Sequence, residues 1–133
     1  MKRKSESETR QWYRYQFFGT ATVTFPKENK TLTATIANIS LSGLGLYSTA
    51  PVGKGKKVNV AITYVDKKGK VREDVTSGKV DWQKKFLNMY LVGVNFDEEL
   101  NVTKQPHLLE HMTYLIDTYH WPQPFRDKRI AML

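Results

Sequence analysis

Apolar and polar residues alternate in twos along most of this chain, and the period changes only near its end. In residues 15–25, Tyr15, Phe17, Ala21, Val23 and Phe25 share one face, while Thr20, Thr22 and Thr24 share the other. That is the pattern of a half-buried strand, and Pro26 ends it. Leu32, Ala34 and Ile36 mark a second strand running to Asn38. Leu44 and Leu46 begin a third after Gly43, closed by residues 50–53. Val58, Val60, Ile62 and Tyr64 form a fourth, and Asp66-Lys-Lys-Gly69 has the composition of a hairpin turn. Val75, Val80 and Trp82 mark a fifth, with a bend expected at Gly78. Tyr90, Val92, Val94 and Phe96 make the sixth.

Six strands at short spacing with no helix between them predict a mainly β fold, antiparallel throughout. A closed barrel is the expected form, because closure removes exposed edges in a domain of this size. In residues 106–120 the period lengthens. Leu108, Leu109, Met112, Leu115, Ile116 and Tyr119 form one helical stripe, Pro106 suits the first turn and Pro122 ends it. A six-stranded antiparallel β-barrel with a C-terminal α-helix packed on its open end is the expected architecture.

The chain has 133 residues and no cysteine, so disulfides, thiolate catalysis and cysteine-ligated zinc are excluded. The charged N-terminus is followed by no apolar run, so neither a secretion signal nor a membrane-inserted segment is expected, and a cytoplasmic setting is. The formal charge of +8 favours anionic partners. Lys54, Lys56, Lys57, Lys67, Lys68 and Lys70 cluster at two loops and read as solvated hairpin ends. Paired carboxylates such as Glu73-Asp74 and Glu98-Glu99 read the same way.

Two motifs remain. Arg10-Gln-Trp-Tyr-Arg14 sets two guanidiniums four residues apart, just before the first strand. Asn38-Ile-Ser40-Leu-Ser-Gly43 is a polar turn with an amide, a hydroxyl and a glycine. Guanidinium pairs bidentately with phosphate oxygens and with guanine edges, so two such forks facing a polar turn suit a guanine nucleotide. In this order the motifs resemble the RxxxR and [D/N]xSxxG signature of PilZ domains. Gly78-Lys-Val-Asp-Trp82 and Gly93-Val-Asn-Phe96 are similar to that family's late strands and stand in the expected order.

The resemblance covers residues 9–120 and implies a cyclic di-GMP receptor. It implies a ligand site of Arg10, Arg14, Asn38, Ser40 and Gly43, with no metal and no cofactor beyond the ligand. The arginines would grip guanine Hoogsteen edges and phosphates, and lysine would supply the charge without the fork. Asn38 stands where many members have aspartate, and Thr9 where many have another arginine. Ser40 would meet a phosphate or a base edge. Gly43 would supply a positive φ or a close backbone approach. Trp12 and Tyr13 would stack on a base or cover the barrel. Residues 1–8 are expected to be a flexible basic arm and residues 121–133 a tail.

On this reading the arm, held open by its own charge, folds over the ligand and relays the signal to an unidentified protein effector. Nucleic acid is not the expected partner. The alternatives are an OB-like barrel for single-stranded nucleic acid, which would lean on the lysine clusters, and a PilZ adaptor that binds no ligand. An enzyme is not expected. His107-Leu-Leu-Glu110-His111 matches the HxxEH of some zinc peptidases, but no glutamate follows to complete the ligand set. Both histidines fall at the border of the apolar stripe, where histidine is unremarkable.

Overall fold

In a computed structural model, residues 15–119 are described. The order is β1 (Tyr15–Gln16), β2 (Thr20–Phe25), β3 (Lys30–Ile39), β4 (Gly43–Ser48), β5 (Lys57–Val65), β6 (Val71–Phe86), β7 (Met89–Phe96) and α1 (Pro106–Tyr119). Every strand pairing is antiparallel. Around the ring, β3 pairs with β2, then β5, β6, β7 and β4, and β4 returns to β3. Six strands, β2 to β7, therefore close the barrel, and β1 is a two-residue extension beside β3.

The inward faces follow the alternation. Ala21, Val23 and Phe25 on β2, Val58, Val60, Ile62 and Tyr64 on β5, and Val92, Val94 and Phe96 on β7 all belong to one core. Leu108 and Met112 of α1 join that same core, so the helix completes it. Asp66 builds the β5–β6 turn as an aspartate can: its Oδ1 accepts from the amides of Lys68 and Lys70, and Gly69 takes φ +81°. Hydrogen bonds from Arg72 Nε at 2.9 Å and from the Lys70 and Lys68 amides hold the Asp66 carboxyl down at about 2.

Several expectations need correction. The first predicted strand is broken, because residues 17–19 leave the ladder. Phe17 turns inward, and Gly19 lies so close to β5 that a Cβ there would stand 2.6 Å from the Thr63 carbonyl oxygen. The fifth strand runs through Gly78 with its register unbroken. The register shift falls between Val80 and Trp82, and upstream of it Val75 points outward while Asp74 points in.

Asp74 is therefore not a solvated strand end. It is 8% exposed, and its Oδ2 accepts from Leu108 N at 2.7 Å in the first turn of α1. Gln105 secures the same end, donating through Nε2 to the Val75 carbonyl and accepting from Asn101 N.

His111 also departs from its expected place, for it lies inside the apolar face and not at its border. Its ring stacks on Tyr64 with centroids 4.6 Å apart and meets Phe17 edge-on at 5.7 Å. Burial pushes its pKa down, partly offset by the Asp66 carboxylate. The unfolded chain then takes a proton near pH 6.5 that the folded histidine refuses, so acidification below that point costs stability. Melting temperatures at about pH 7.5 and about 5.5 should show a smaller drop for His111→Phe than for the parent chain. Equal drops would remove His111 as the cause.

Candidate functional site

The polar turn predicted as half of a ligand site joins β3 to β4, and its backbone is tightly specified. Ser40 N donates to the Gly43 carbonyl at 2.8 Å, closing the turn. The Ser40 hydroxyl is fully buried, donates to the same carbonyl at 3.3 Å and accepts from Ser42 N at 3.2 Å. A serine is needed here because one oxygen must both donate and accept within a turn this short. Its hydroxyl is thus engaged in shaping the loop. Ser42 is half-buried, with its hydroxyl 3.4 Å from that of Ser40.

Gly43 is the first residue of β4, paired with Asn95. The left-handed glycines among the described residues are Gly53, Gly55 and Gly69, so of the two roles expected of Gly43, a positive φ or a close backbone approach, the first is not adopted. Asn38 is half-buried on β3, just past a register shift between Ile36 and Asn38. It lies opposite Gly45, and a Cβ on Gly45 would stand 3.0 Å from Asn38 Oδ1 and 3.2 Å from Nδ2. The bare glycine thereby gives the amide its seat. Gly45 was not singled out from sequence, although its spacing from Gly43 in Gly-Leu-Gly was a usable signal.

Arg10 and Arg14 lie outside the described residues, as do Thr9, Trp12, Tyr13, the arm 1–8 and the tail 121–133. The described chain begins at the turn itself. Tyr15 pairs with Ile39, the neighbour of Ser40, and Gln16 pairs with Asn38. Asn38, Ser40 and Gly43 thus share one strand end, with β1 alongside.

A different cleft, of about 130 Å³, lies between the β5–β6 turn and α1, where Asp66, Lys68, Arg72, His107 and Glu110 are among its walls. It is smaller than the roughly 300–1,000 Å³ usual for ligand pockets. His107 and Glu110 are exposed there while His111 is buried in its aromatic stack, so the HxxEH spacing serves packing at its second histidine. Among the described residues no three metal-ligating side chains converge.

A family model for the PilZ domain matches residues 8–114, and the chain belongs to that family. No curated protein sequence matches it. Among solved structures it is similar to the Bacillus subtilis inhibitor of motility MotI/DgrA, with TM-score 0.64 and 13% identity, over 82% of this chain and 52% of that one. It is similar to apo MrkH of K. pneumonia, with TM-score 0.62 and 15% identity, over 90% and 55%. The PilZ domain of Escherichia coli YcgR, solved with cyclic di-GMP, gives TM-score 0.55 and 14% identity over 86% and 99%. The chain thus spans about half the length of the first two and nearly all of the third.

Proposed function

We propose that this protein is a cyclic di-GMP receptor that closes its N-terminal arm over the ligand and passes the signal to a protein effector. The observation that carries this is the pairing of Tyr15 with Ile39, next to Ser40. Tyr15 follows Arg14 directly in sequence, so this pairing supports a reading in which Arg10 and Arg14 come to the Asn38, Ser40 and Gly43 turn. The YcgR domain with cyclic di-GMP has the same fold, which supports the choice of ligand.

In this account the arginines keep their charge at every working pH and pair with the phosphates and guanine edges. Asn38 presents its amide from the seat over Gly45. Ser40 holds the turn in shape, and Gly43 leaves its backbone unobstructed. A preformed turn lowers the ordering cost of binding, and the arm meets the remainder as it folds. Relief of repulsion within the basic arm by the diphosphate favours closure. The protein works in the cytoplasm, as a sensor and not a catalyst.

Anisotropy of a fluorescent cyclic di-GMP analogue tests the assignment. Arg14→Ala should weaken binding by on the order of 10- to 100-fold, the loss of a charge-assisted pair, and Arg14→Lys should not restore it. Replacing Lys67, Lys68 and Lys70 together by alanine should leave affinity nearly unchanged. The reverse order, with the lysines dominant and binding falling steeply with salt, would mark a nucleic-acid barrel instead.

A further inference from the structure

The β6–β7 hairpin ends in a conformation that its sequence is poorly suited to adopt. Phe86 pairs with Met89 across a two-residue loop of Leu87 and Asn88. Leu87 takes φ +58°, the left-handed region that such loops normally fill with glycine or asparagine. Among the described residues the other non-glycine in that region is Asn29, whose short amide tolerates it. A leucine there is strained, and it is 80% exposed, with Phe86 beside it 62% exposed. Folding alone would favour glycine at residue 87, both for φ and for solubility. The leucine is therefore explained by something outside the chain.

The charge around the tip indicates what that is. From Trp82 to Phe96 the hairpin carries Lys84 and Lys85 and no carboxylate. Consecutive residues of a strand face opposite sides, so these exposed lysines straddle the hairpin. Val52 N and Gly53 N donate to Gln83 Oε1, which holds the loop bearing exposed Lys54 against the hairpin's base. The result is a convex apolar wedge with cations on both flanks. A protein groove would demand a shaped, one-sided contact, whereas a planar anionic surface accepts a wedge with charge on either side.

We propose that the β6–β7 tip docks the protein peripherally on anionic lipid, with Phe86 and Leu87 entering the headgroup boundary and Lys54, Lys84 and Lys85 pairing with lipid phosphates. Such contact needs no membrane-spanning segment, and no described helix is long and apolar enough to cross a bilayer. The tip lies beyond the Ser48 end of β4, which pairs with Tyr90, while the polar turn lies at the Gly43 end, which pairs with Asn95. Docking would therefore leave the turn accessible, and the proposal stands whether or not a nucleotide binds there.

Co-sedimentation of the full chain tests it, with vesicles of equal parts phosphatidylglycerol and phosphatidylcholine and with phosphatidylcholine alone. The parent chain should pellet with the anionic vesicles at low salt and stay in solution with the neutral ones. Leu87→Gly and Phe86→Ser should each weaken pelleting at least about tenfold, in line with the loss of several buried carbon groups. Leu87→Gly should at the same time melt no lower than the parent, since it relieves the strained φ. Loss of vesicle binding alongside an unchanged or raised melting temperature separates docking from misfolding. A parent chain that ignores both vesicle types, as a tip serving a protein partner would, overturns the proposal, and so does unchanged pelleting of Leu87→Gly.

Discussion

Gly93→Ala is expected to destabilise the barrel by about 1–3 kcal/mol, the usual cost of forcing extra volume into a packed site. The cause is a single cross-strand pair. Trp82 on β6 lies opposite Gly93 on β7, and its indole occupies the space into which a Cβ at residue 93 would project. Gly78 on β6 is likewise opposite Phe96, with the backbone of Asn95 and Phe96 where its Cβ would go. The two strands therefore approach closely at both glycines, with the Trp82 indole over Gly93 and bare backbone against Gly78. Chemical denaturation of Gly93→Ala, Trp82→Ala and the double variant would measure this. The double variant should lose clearly less than the two single losses combined, since removing the indole removes the clash. Strict additivity would show that the glycine is needed for some other reason.

Asp74→Ala should cost about 1.5–3 kcal/mol, the range for a hydrogen bond to a charged group whose partner is left buried. Asp74 reaches from β6 to the amide of Leu108, and its negative charge sits at the helix N-terminus, where the backbone dipole favours it. It performs from another strand the task a capping residue normally performs from within the helix. Asp74→Asn keeps an acceptor and loses the charge, so its loss should be smaller. Thermal melts of both variants, read by helical and aromatic circular dichroism, check the ranking. Equal stability of Asp74→Ala and the parent would mean that the apolar face of α1, the His111 stack and the Gln105 contacts hold the helix without Asp74.

These two contacts also mark where sequence reasoning stops. Alternation identifies the inward residues of β5 and β7, because both strands are half-buried and the one irregularity against β7 puts its extra residue on β6. The helix was legible for the same reason at its longer period. Asp74 was misjudged because it lies 34 residues from the amide it satisfies. Val75 reads as a core residue on apolarity alone, but it lies five positions from inward Val80 on an unbroken register, so alternation puts it on the opposite face. In the site, Asn38, Ser40 and Gly43 were legible as a turn. The partners of the Ser40 hydroxyl, Ser42 and Gly43, lie inside the motif itself, whereas the seat that Gly45 provides depends on the β3–β4 pairing, which a linear motif does not contain.

Calorimetric titration of the full chain with cyclic di-GMP, with GTP as control, tests the central claim most directly. The account predicts saturable binding at micromolar concentration or tighter, with no comparable heat from GTP. No heat, together with no competition against the fluorescent analogue at high ligand, would contradict it and leave the barrel an adaptor without a nucleotide.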